Sequence, residues 1–268
     1  MKERSKVGAA ISLICAILGI FVIYTSFLQV YDPIMVSEMA EGRAGGEIIL
    51  DGLSVSKYVM PVVNDIALIG GVIWAVAAYG FIKKEKWAWG TAVIANVLSL
   101  LSFFMLIPAM SRGISPIYTS VFIPNIIAFF LLLAYVRQTD SKIIAITVVA
   151  GMAYVMAFMN GVASTDQMLS GDSVNSIIFI MAQRLNWIAS IAWGSFVIGL
   201  LTRKKWALQL GLGAALLTLV GGIPAGVVVT MESAKFSMYF LAPILALFLK
   251  ITLVLPKSNK IITQWIDG

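Results

Sequence analysis

Eight long apolar runs divide the sequence, at roughly 7–30, 61–82, 88–109, 116–136, 143–163, 176–201, 207–230 and 236–255. A run of about 18 or more residues with few charges is long enough to cross the hydrocarbon of a bilayer as an α-helix. In water the same runs would leave apolar surface that the rest of the chain cannot cover. Charged residues make up 12% of it and hydrophobic residues 60%, whereas about a quarter of a soluble domain is charged. Mean hydropathy is +0.96. With no water to bind the backbone, helices that satisfy their own N–H and C=O groups are the solution. The expectation is an all-α integral membrane protein with eight transmembrane helices, multi-pass in the cell (cytoplasmic) membrane.

The basic balance, a net charge of +6, would suggest nucleic acid in a soluble protein. Its distribution argues otherwise. Placing the termini and alternate loops on one side collects fourteen of the nineteen basic residues there and leaves nine of the thirteen acids on the other. Basic residues gather on the cytoplasmic side of membrane proteins, so both termini are expected in the cytoplasm and no nucleic-acid partner is implied. The run at 7–30, preceded by MKERSK, is too long for a signal peptide and has no small-residue cleavage site close behind it; it reads as the first membrane helix. Cys15 is the single cysteine and there is no histidine. Intrachain disulfides, bis-histidine haem, the common zinc sites and Ser-His or Cys-His nucleophile pairs are therefore excluded. No Ser/Lys dyad, paired intramembrane aspartates or P-loop is present either, so no enzyme activity, metal or cofactor is expected.

The stretch KKEKWAW at 83–89 returns as TRKKWAL at 202–208, an offset of 119 residues. At that offset Trp74 falls on Trp193, Gly80 on Gly199, Trp87 on Trp206, Pro124 on Pro243 and Phe129 on Phe248. The first run matches the fifth only at a larger shift of about 136, because the segment 31–60 is longer than 164–175. The reading is two four-helix repeats, 1–138 and 139–268, with a long external loop at 31–60 in the first. Four crossings return the chain to its starting side, which makes the repeats parallel. The loop holds Asp32, Glu38, Glu41, Glu47 and Asp51 and reads as a solvated loop or a short amphipathic turn.

The same register picks out the residues able to carry chemistry. Asn64-Asp65 falls on Gln183-Arg184, so equivalent positions bear opposite charges. Each lies just inside the external boundary, where charges tend to face the bundle interior and pair. Two readings stand: an external gate or charge pair, or two side chains reaching the headgroups separately. Pro124 and Pro243 sit at matched positions, and a proline deprives the carbonyl four residues earlier of its donor; those carbonyls belong to Ser120 and Tyr239. With Asn125 they form a candidate midplane pathway, since matched helix breaks mark transporter sites, while packing kinks are the plain alternative. Asn96, Ser99 and Ser102 line one face of the third run, facing either a wet path or neighbouring helices. Met152, Met156 and Met159 read as core filling rather than a Cu(I) site.

Two functions follow from this pattern. One is a permease or channel for a small solute, neutral or weakly charged because no charge lies near the midplane. The other is a non-catalytic membrane subunit or scaffold, favoured by the low polarity of the first, fifth and seventh runs. The lipid bilayer is the expected surrounding, with a homo-oligomer or a partner membrane subunit as the protein contact.

Overall fold

The computed structural model describes the backbone of residues 2–44, 50–102, 119–170 and 173–268. Two compact units divide the chain, Met1–Ser141 and Lys142–Gly268. The first opens on α1 (Lys2–Ile17), which passes through a π-helical turn at Leu18–Val22 into α2 (Ile23–Ala44). Then come α3 (Leu50–Lys83), α4 (Ala88–Leu100) and α5 (Thr119–Leu131), the last ending in a second π-helical turn at Leu132–Arg137. The second unit holds α6 (Ser141–Ser170), α7 (Ser173–Leu201), α8 (Ala207–Ser233), a 3-10 turn at Met238–Phe240, α9 (Leu241–Val254) and α10 (Pro256–Asp267). No strand occurs among the described residues.

Among the described residues, six stretches are long and apolar enough to cross a membrane: Glu3–Val36, Val59–Lys83, Ser120–Arg137, Ser141–Met168, Ile177–Leu201 and Ala207–Ser233. The pair α9 and α10, bent by 78°, makes a seventh if it is taken as one broken span. The chain is a polytopic helical membrane protein. The expected span 88–109 is helical over the 13 residues of α4 and turns at 101–102; 103–109 lie outside the described residues, as does the start of 116–136. The last expected span stops at the elbow before Pro256. A residue preceding proline is driven out of the α region, and Leu255 accordingly has ψ 126°.

The segment 31–60 is not the loop expected from its charges. Residues 31–44 continue α2 and 50–60 begin α3, leaving only 45–49 outside the described residues. Ser, Glu, Met and Ala in SEMAEGRA are compatible with a helix whether or not it is buried; polarity marks the end of the hydrocarbon and says nothing about the end of the helix.

Within each unit the helices meet through small residues. The hydrophobic effect does not drive helices together inside hydrocarbon, so close van der Waals packing must. Gly19 in the first π-helical turn faces Gly71 of α3 so closely that a Cβ built on Gly19 would stand 2.6 Å from the Gly71 Cα. In the second unit α8 buries Ala207, Gly211, Ala214, Ala215, Thr218, Gly221, Gly222, Ala225 and Gly226 along its length. Among the described residues the largest fully buried side chains are Trp74 and Trp193, and the Trp193 ring meets Phe196 edge-on at 5.7 Å.

The two basic turns have the same internal geometry. After α3, Lys84 adopts φ 59°, its N–H donates to Phe81 O at 3.2 Å, and Glu85 N–H donates to Gly80 O at 2.8 Å. After α7, Arg203 adopts φ 59°, its N–H donates to Leu200 O at 3.2 Å, and Lys204 N–H donates to Gly199 O at 2.8 Å. Both are Schellman caps, in which a left-handed residue lets the chain return to the last helical carbonyls. Glycine usually occupies that left-handed position; here cations do, where they also complement the helix dipole. The glycines lie one turn earlier instead, and Trp87 and Trp206 fill the space above Gly80 and Gly199, at 2.6 Å from an added Cβ in each case. A third donor closes each turn: Ser5 Oγ donates to Phe81 O at 2.5 Å, and Trp265 Nε1 of α10 donates to Leu200 O at 2.8 Å.

These turns generate a paired test. Lys84→Gly relieves a left-handed L-residue and is expected to stabilise the protein by about 0.5–1 kcal/mol after glycine's own entropy cost. Gly80→Ala forces a methyl into the Trp87 ring and is expected to cost about 1–3 kcal/mol. Thermal unfolding in nanodiscs should rank Lys84→Gly above wild type and Gly80→Ala below it.

Candidate functional site

In the first unit the site is centred on Asn125, which is fully buried one residue beyond Pro124 in α5. Its Oδ1 accepts from Trp74 Nε1 of α3 at 3.0 Å, its Nδ2 donates to Val121 O at 2.8 Å, and its carbonyl accepts from Asn96 Nδ2 of α4 at 2.8 Å. One asparagine thus ties three helices together. Along α4 the hydrogen bonding then runs out. Asn96, Ser99 and Ser102 are all buried, yet Asn96 Oδ1, Ser99 Oγ and Ser102 Oγ have no partner among the described residues. Buried polar atoms are paired in the great majority of cases; here Asn96 and Ser99 of α4 and Ser102 in the turn after it keep open polar atoms, with the Ser99 hydroxyl packed against the Gly70 position of α3. Ser120 is exposed at the start of α5, and Pro124 is half-buried.

The second unit has a different arrangement around Tyr239 and Pro243. Pro243 does not kink the middle of a helix; it is the third residue of α9, and its ring packs against the Gly222 position of α8. Having no N–H, it cannot serve the carbonyl four residues earlier. That carbonyl, Tyr239 O, instead accepts from Asn160 Nδ2 of α6 at 3.0 Å. The Tyr239 ring is buried against Phe179, 6.2 Å between centroids, and its hydroxyl sits beside Ser164 and Asp166. Trp193 Nε1 donates to Thr218 Oγ1 at 3.0 Å, which donates on to Ala214 O at 2.8 Å. Thr218 stands 119 residues after Ser99, whereas the acceptor for Trp74 is Asn125, so the matched indoles find different partners. Asn186 Nδ2 donates to Ala182 O at 2.8 Å, leaving its buried Oδ1 without a partner among the described residues.

The charge positions fall on the outside of their helices. Asp65 is exposed on α3 and Arg184 is exposed on α7, each described within its own unit. Their neighbours turn inward. Asn64 is buried, with Oδ1 unpartnered among the described residues, and half-buried Gln183 donates through Nε2 to Thr165 Oγ1 at 2.8 Å. Met152 is exposed, and Met156 and Met159 are half-buried. No cluster of three His, Cys, Asp or Glu side chains suited to a metal occurs among the described residues.

Asn160, Asn186 and Thr218 were not singled out from the sequence. Their signal was a lone amide or hydroxyl within an otherwise apolar run, which is also what an ordinary interhelical hydrogen bond looks like. Comparison of the chain with protein families, with curated proteins and with solved structures found no match.

The hydrogen-bond pattern separates stabilising from idle polar groups. Asn125→Leu strands the Trp74 N–H and is expected to cost about 1–2 kcal/mol, the upper range for polar contacts between membrane helices. Ser99→Ala and Ser102→Ala remove hydroxyls that have no partner among the described residues, and are expected to change the stability by less than about 0.5 kcal/mol. Thermal unfolding of the three purified variants checks both statements.

Proposed function

We propose that the chain is a non-enzymatic permease or channel for a small, neutral, polar solute, built as a tandem duplication. In this reading two four-helix halves insert in the same orientation with both termini in the cytoplasm. The observation that carries it is the set Asn96 and Ser99 of α4 and Ser102 just after it: buried, each with a polar atom that has no partner among the described residues. In hydrocarbon such atoms are costly, and a passing solute or water is what they are suited to bind. The absence of charge from the set favours a neutral solute over an ion. Within the first unit, buried Asn64 adds a further polar group toward the end of α3 away from its basic turn. The matched turns at Lys84 and Arg203 support the duplication, and the basic residues around them support the cytoplasmic assignment of that side.

Proteoliposome swelling with glycerol, urea and similar solutes tests the proposal. The wild type is expected to exceed protein-free liposomes. Ser99→Ala combined with Ser102→Ala should lower the flux severalfold at equal incorporation, although neither change affects folding. Absence of flux for every neutral solute in the series would overturn the permease reading in favour of a non-catalytic membrane subunit or scaffold.

A further inference from the structure

The second unit has not kept the polar set of the first. At the 119-residue offset Asn96, Ser99 and Ser102 fall on Ala215, Thr218 and Gly221 of α8. Alanine and glycine bring no polar side chain, and the Thr218 hydroxyl is already engaged by Trp193 Nε1 and Ala214 O. The polar side chains of this unit come from the helices around α8 instead, and they meet at the pair Gly221-Gly222. A Cβ built on Gly221 would stand 2.9 Å from Asn186 Nδ2 of α7, and one built on Gly222 would stand 3.4 Å from Asn160 Nδ2 of α6. Asn160 Nδ2 donates in turn to Tyr239 O. Ser164 follows Asn160 by one helical turn, on the same face of α6, and lies beside the Tyr239 hydroxyl. The seam between α7 and α8 corresponds to that between α3 and α4, with the roles exchanged. In the first unit the glycine is on α3 and the polar side chain, Ser99, is on α4; in the second the glycine is on α8 and the polar side chain, Asn186, is on α7.

Three of these side chains keep open polar atoms. Asn186 uses Nδ2 on Ala182 O, and its Oδ1 has no partner among the described residues. Ser164 Oγ and the Tyr239 hydroxyl lie side by side and have no other partner there; a bond between them uses one hydrogen and leaves the second. Asn186 and Ser164 are fully buried, and Tyr239 is 6% exposed. Buried groups of this kind are satisfied by water or ligand when protein does not reach them. Together they offer an acceptor at Asn186 and a hydroxyl able to donate or accept at Ser164 and Tyr239. The Asp166 carboxylate near the Tyr239 hydroxyl makes the surroundings unfavourable for an anion.

We infer that the second unit holds its own site for a small neutral solute, built from α6, α7 and α9 around Gly221-Gly222, where Asn186 Oδ1 accepts from the solute and the Ser164 and Tyr239 hydroxyls bond its oxygen. The matching class is a molecule that carries O–H or N–H donors together with an oxygen acceptor, such as a short polyol or urea. The inference rests on the transport reading and extends it: the two halves handle one class of solute with different residues, so neither half is a mere support for the other.

The test measures glycerol and urea flux into proteoliposomes holding the full-length chain with Tyr239→Phe or Asn186→Leu. Tyr239→Phe deletes one oxygen and keeps the ring against Phe179, which separates binding from folding. Thr147→Val is the control, since it removes a buried hydroxyl that bonds Ile143 O of its own helix. Each site variant is expected to lower the flux about fivefold at equal incorporation, the loss of one ordinary hydrogen bond to the solute, while Thr147→Val leaves it near wild type. Wild-type flux that neither Tyr239→Phe nor Asn186→Leu changes overturns this inference and leaves the permease reading standing. A loss equally large in Thr147→Val also overturns it, because the flux would then follow any buried hydroxyl. Absence of wild-type flux overturns both.

Discussion

A polar group that loses its partner inside hydrocarbon has no water to turn to, and this constraint organises each unit. The Trp74 indole N–H is an example. Trp74 is fully buried, and its hydrogen enters the side chain of Asn125, whose other groups reach α5's own Val121 and the amide of Asn96 on α4. The carbonyl left without a helical donor by Pro243 is answered by Asn160 from α6. At the basic turns the carbonyls of Phe81 and Leu200 accept from the Schellman N–H and then from a side chain outside the turn. Where the accounting closes, it holds helices together. It stays open among the described residues at Asn96, Ser99 and Ser102, the groups on which the transport proposal rests.

Close packing is the second requirement, and it explains where the aromatic residues lie. Alanine and glycine bring the helix backbones together, and three tryptophans fill spaces that glycines leave open. Trp87 covers Gly80, Trp206 covers Gly199 and Trp187 covers Gly161. The pairing works in both directions, since a methyl on the glycine would strike the ring and a smaller ring would leave a void. The amphipathic α10 extends this logic beyond the hydrocarbon. Ile262 is buried, and Trp265 lies beneath the Arg203 guanidinium, 4.2 Å from it, while donating to the end of α7.

Hydropathy alone located the long apolar helices and the membrane class, because a span is a property of composition over many residues. The offset of 119 residues located the two turns, since glycine, cation and tryptophan are each required there by geometry. Other features were not legible. The helical course of 31–44 and 50–60 was hidden by charges that solvated helices and loops share. The position of Pro243 in the first turn of α9 depended on where the preceding 3-10 turn ended, which no residue pattern announces. The inward turn of Asn64 and Gln183, with Asp65 and Arg184 outside, is set by helix rotation, and a shift of one residue along a helix is about 100° around it. The sequence could name positions along each helix and could not choose the face.

The glycine contact between α1 and α3 also bears on how the protein is made. Gly19 and Gly71 touch backbone to backbone, and the side chain of Ser5 reaches the end of the same helix at Phe81. All of these residues leave the ribosome early. A first helix held in the bilayer until α3 arrives can complete this hairpin before the second unit has been synthesised. Since Trp74, Asn96 and Asn125 find one another within the first unit, and Asn160, Tyr239, Trp193 and Thr218 within the second, each half can bury these polar groups on its own. Insertion can therefore proceed one unit at a time, with these indole and amide donors already paired inside each half.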